Sequence, residues 1–77
     1  MNKKRREEIK AIALQLEELR GKVEDLQTEE QEAFENLPEG LQQAERGEQS
    51  QQAADCLEEA YSQIDEAISQ LGEAAGE

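Results

Sequence analysis

The larger apolar residues at the start of the chain are Ile9, Ile12, Leu16, Leu19, Val23 and Leu26. Their spacings of 3, 4, 3, 4 and 3 form a heptad, with Ile9, Leu16 and Val23 at a and Ile12, Leu19 and Leu26 at d. The intervening residues are mostly Glu, Lys, Gln, Arg and Ala, all good helix formers. In the same register Glu30 and Leu37 continue the a row and Ala33 the d row, with Ala13 and Phe34 at e. Gly21 falls at f, on the solvent side. The pattern predicts one long helix over about residues 2–35. Leu37-Pro38 ends it, because the proline ring disfavours helical geometry in the residue before it and offers no N–H.

A connector is expected over residues 36–48, where Pro38, Gly40 and Gly47 interrupt the periodicity. Pro38-Glu39 also reads as a helix first turn, so part of the connector is expected to be a short helix. A second helix is predicted over about 49–71, its start open between Pro38, Arg46 and Ser50. Leu57, Ile64 and Leu71 repeat every seven residues. Ala53, Ala60, Ala67 and Ala74 follow on the adjoining row, and Tyr61 and Ile68 widen the stripe. The tail, 72–77, is expected to fray. Two long helices with a short connector make a single all-α domain, an antiparallel two-helix hairpin with coiled-coil-like packing. The regular heptad separates it from a disordered acidic chain of the same composition.

Composition adds a constraint on stability. Of the 77 residues, 35% are apolar, and ten of these are Ala. That is little material for a core. A single Cys and no His leave neither a disulfide nor a zinc site to staple the chain. A second copy is therefore the expected stabiliser, giving a homodimeric helical bundle. Ile9, Ile12, Leu16, Leu19, Val23 and Leu26 are its candidate self-association seam.

Charge sharpens this. Acids outnumber bases 20 to 8, for a net charge of −12. Residues 1–22 carry seven of the bases and a local charge of +3, and residues 23–77 carry −15. In the first helix cations crowd the N-terminus and Glu29, Glu30, Glu32 and Glu35 crowd the C-terminus, against the helix dipole. Antiparallel pairing of two first helices, centred near Leu19 and Arg20, would set the basic end of one against the acidic end of the other. Leu14, at f beside Ala11, is a smaller apolar spot on another side.

The chemistry that remains is narrow. Without His there is no His-based relay and no Glu-x-x-His metal motif. No calcium loop is present. The reading is of a protein without catalytic residues, cofactor or metal. Glu30 is the one acid on the seam, Cys56 is expected to be a small buried thiol, and Tyr61 a core-edge residue. The string Lys3-Lys4-Arg5-Arg6 suits phosphate, but the acidic excess repels nucleic acid and anionic membranes. No apolar run approaches the ~18–20 residues of a membrane span, and no signal-peptide core follows the basic residues. A cytoplasmic location is expected.

The most distinctive segment is Glu30 to Phe34, Asn36 to Glu39, Leu41-Gln42 and Glu45 to Glu48. In these residues the chain resembles a family of small, uncharacterised acidic helical proteins of phages and prophages. That family has a charged first helix, Glu-Gln-Glu-Ala, an Asn-Leu-Pro-Glu segment and then Leu-Gln before Glu-Arg-Gly-Glu. Ala44 stands where members often carry Ser. The resemblance implies a phage origin, hence the host cytoplasm, and carries no activity.

The function expected is that of a non-enzymatic interaction protein. Its acidic half would bind a basic surface of a host or phage protein, in the manner of a DNA mimic that inhibits a defence or DNA-binding system. The candidate interaction residues are Asn36, Pro38, Glu39, Gln42, Glu45 and Arg46 on the connector and Glu24, Glu32, Glu58 and Glu66 on the helices. The connector residues also have a purely structural reading, as helix stop, turn and an Arg46–Glu pair. The alternatives are a self-associating assembly accessory, or a sponge holding a small molecule at an oligomer interface.

Overall fold

The computed structural model describes residues 2–76. They form three helices: α1 (Lys3–Glu35), α2 (Glu39–Gln42) and α3 (Glu45–Ala74). The long helices pack antiparallel into a rod with extents of 58 × 14 × 14 Å. The molecule is an all-helical hairpin with α2 at its tip.

Asn2 starts α1, its Oδ1 accepting the backbone N–H of Arg5 at 2.8 Å. No acid lies in the first turn and no base in the last, so both ends of α1 are set against its dipole. At the far end the Asn36 N–H donates to the Glu32 carbonyl at 2.9 Å and the Leu37 N–H to that of Phe34 at 3.1 Å. Asn36 keeps a right-handed conformation (φ −84°, ψ −5°), so the stop rests on Pro38 rather than on a left-handed cap. The Pro38 carbonyl then accepts the N–H groups of Leu41 and Gln42, forming the short α2.

The second long helix begins at Glu45, beside Arg46 among the three starts left open and four residues before 49, and the connector shortens to 36–44 with α2 inside it. Ala44 occupies the N-cap in extended geometry without any side-chain hydrogen bond. Gly47 belongs to the helix and is buried against the tip. A Cβ there would stand 2.3 Å from the Gln42 carbonyl oxygen and 2.5 Å from that of Leu41. Its glycine thus serves a close approach of backbones, where the sequence suggested a turn. At the other end α3 continues through the expected tail to Ala74, and Ala75 is buried. Glu77 lies outside the described residues.

The hairpin seam differs from the a/d reading. Half-buried on α1 are the a residues Ile9, Leu16 and Val23 and the e residues Ala13, Arg20, Gln27 and Phe34. The d residues Ile12, Leu19 and Leu26 remain 48%, 49% and 53% exposed. The cause lies on α3. The row holding its most buried residues is Gly47, Ala54, Tyr61, Ile68 and Ala75, in which Gly47 packs on the tip and the others face α1 or the open end. Ala54 allows close approach beside the half-buried Tyr61 and Ile68 of the same row, so α1 meets α3 along its a and e rows and its d row turns outward. Ala54 and Ala75 are the buried apolar residues among those described, and no large side chain is fully buried. Cys56, expected inside, is exposed because it lies one row away from the packed stripe.

Candidate acidic groove

Two rows of α1 and one edge of α3 enclose an open groove of about 690 Å³ on the e flank of the hairpin. Glu24, Glu32 and Glu35 line it from α1, and Glu58, Tyr61 and Ser62 from α3. Helical geometry explains the gathering. Residues 24, 28, 31, 32 and 35 fall on adjacent rows of one helix, and 58 and 62 are one turn apart on the other. The antiparallel register brings these segments level. Glu24, Glu32 and Glu58, three of the four helix acids singled out from the sequence, therefore share one site. Glu66 continues the 58–62 row one turn beyond the groove.

Beside Tyr61 lies Arg20, on the e row of α1. Its guanidinium pairs with the Asp65 carboxylate, and its central carbon lies 5.8 Å from the Tyr61 ring centroid. This places a cation over an aromatic face and ties α1 to α3 at mid-rod. The arginine side chain is 28% exposed and the aspartate 54%, so water screens the pair and its energy is modest. Arg20 is engaged with Asp65 and Tyr61, leaving the carboxylates of the groove without a basic neighbour among the lining residues.

The tip residues divide into two groups. Gln42 is structural: its Nε2 donates to the carbonyls of Leu37 at 3.0 Å and of Phe34 and Glu35 at 3.3 Å, covering the open end of α1. Asn36 and Pro38 shape the stop and are exposed, as are Glu39, Glu45 and Arg46. Arg46 lines a smaller cleft on the opposite flank with Glu30, Ala33 and Ser50, and among the described residues it makes no ion pair. In the same region Glu30, the seam acid, accepts a hydrogen bond from the Ser50 hydroxyl at 2.7 Å. Leu14, with Ala13 and Leu71, lines a shallow cleft near the open end of the hairpin.

The chemistry available here is recognition of positive charge. Among the described residues no three acids, cysteines or histidines converge on a metal position, and no helix is long and apolar enough to cross a membrane. The candidates drawn from the sequence included neither Glu35 nor Tyr61 of the groove, nor Arg20 beside it. The signal for Arg20 was present, since a base at an e position facing an acidic helix is an interhelical pair in waiting. No family model matches the chain, and no curated protein or solved structure does so either.

Proposed function

We propose that the chain is a non-enzymatic interaction protein that docks a Lys/Arg-rich surface of another protein into the groove around Tyr61. The observation that carries this reading is the gathering of Glu24, Glu32, Glu35 and Glu58 beside an aromatic ring on one flank of a stiff rod. Such a surface raises the local concentration of basic partners and orients them, while repelling phosphate. The ring adds a face on which an arginine or lysine of the partner can stack. On this reading the connector's resemblance to small phage proteins fits a chain that acts in the host cytoplasm, by occupying the basic surface of a defence or DNA-binding protein.

The test is partner capture followed by a salt titration. Raising salt to 1 M shortens the screening length from ~8 Å to ~3 Å and should release the partner. The triple change Glu24→Gln, Glu32→Gln and Glu58→Gln should slow association by ~10-fold or more, and Glu66→Gln alone should have much the smaller effect. Binding that ignores both salt and the triple change, or a partner whose contact surface is acidic, overturns the reading.

A second reading, that of a self-associating assembly module, is favoured by the missing core. A helical pair in which no large side chain among the described residues is fully buried is stabilised by a second copy. We infer a homodimeric bundle, compatible with either role, and sedimentation at micromolar concentration is its direct check.

A further inference from the structure

The exposed d row of α1 has a counterpart on α3. In an antiparallel pair, equivalent heptad rows lie on the same side. The α3 row spaced like the d row of α1 holds Ala53, Ala60, Ala67 and Ala74. The cleft lined by both Ala33 and Arg46, each from one of these rows, places the two rows on one face of the hairpin. The face thus carries Ile12, Leu19 and Leu26 on one helix and alanines on the other. The next α3 row outward is Gln49, Cys56, Gln63 and Gln70. In a chain with 20 acids, the α3 half of this face therefore carries no carboxylate.

We propose that a second copy of this chain covers this face, with α1 stacked antiparallel on α1 of the second copy and the two-fold axis passing at Leu19. The proposal rests on the dimer reading above and adds the face and the orientation. Three observations support it. First, Ile12 and Leu26 are equidistant from Leu19, so a two-fold there sets each against the other's counterpart and buries all three pairs.

Second, charge selects the orientation. Turning the second copy end over end lays the basic end of one α1, through Lys4 and Arg5 on this face, along the acidic end of the other, where each offsets part of the charge that opposes the dipole. Lys4 and Glu32 lie on the same outer flank for this purpose. Glu8 approaches Glu29 of the second copy there, with Lys4 one turn away on the same flank. The other face-to-face arrangement, α1 over α3 with both tips at one end, would set two acidic tips side by side.

Third, the area fits. The accessible surface is 5804 Å², against roughly 4,700 Å² for a compact monomer of 8.7 kDa. The excess is of the order of the ~800 Å² that each partner gives to a standard interface.

The experiment uses the full chain with Cys56→Ser, so that introduced thiols are the only ones. The protein should sediment at twice 8.7 kDa. With oxidised glutathione, Leu19→Cys should link to itself between copies. Ile12→Cys and Leu26→Cys should link only when the two variants are mixed. Leu19→Asp, which sets two unpaired carboxylates together on the axis, should weaken dimerisation by ~100-fold or more. A monomer at micromolar concentration overturns both this proposal and the dimer reading. A sedimenting dimer in which Leu19→Cys fails to link, or in which Ile12→Cys links to itself, overturns this arrangement alone. Neither outcome bears on the salt-dependent binding of a basic partner.

Discussion

Replacing Gly47 and Gly21 separately by alanine should move stability in opposite directions. At Gly47 the new Cβ would stand 2.3 and 2.5 Å from two backbone carbonyl oxygens of the tip. Non-bonded heavy atoms are comfortable at about 3.5 Å, so α2 must retreat from α3 by about 1 Å. Backbone cannot swing aside as a side-chain end can, so the overpacking cost should be in the upper part of the usual ~1–3 kcal/mol. Alanine returns at most ~1 kcal/mol of helix propensity. The net loss is about 1–2 kcal/mol. At about 4–8 °C per kcal/mol for a domain of this size, Tm falls by roughly 5–15 °C. At Gly21 a Cβ meets nothing within 4 Å, so propensity acts alone and should raise stability by ~0.5–1 kcal/mol. The assay is thermal unfolding followed by circular dichroism, at one fixed protein concentration, since the proposed dimer would make Tm depend on it. If both substitutions raise Tm alike, the close approach of α3 to the tip is wrong, and with it the account of where α3 begins.

Two further substitutions probe the connector. Ala44→Ser should supply the missing side-chain cap of α3 and raise stability by ~0.5–1 kcal/mol in the same melt, and no gain would mean that Ala44 is not the N-cap residue in solution. Gln42→Ala should remove the cover over the α1 carbonyls at a cost of ~1 kcal/mol, leaving the salt dependence of partner binding unchanged. Lost partner binding at unchanged Tm would instead make Gln42 a contact residue.

Periodicity alone determined the two long helices and their antiparallel relation, because heptad spacing and Pro38 act locally, through backbone sterics and side-chain direction. The start of α3, open between Pro38, Arg46 and Ser50 from the sequence, falls at Glu45, beside the second of these. Ala44 is a poor cap and Gly47 reads as a breaker, until α2 is seen to need the space a side chain would fill. Which rows close the hairpin was also beyond the sequence. A 3.5-residue repeat fixes a stripe but not its centre, and here the α3 row of Ala54, Tyr61 and Ile68 met the a and e rows of α1 rather than a and d. That shift left Ile12, Leu19 and Leu26 facing outward beside an alanine row. It also turned Arg20 toward Asp65 and Tyr61. The abundance of acid was plain from composition, but its gathering was not: Glu24 and Glu58 become neighbours only through antiparallel register, which the contact between the two helices sets.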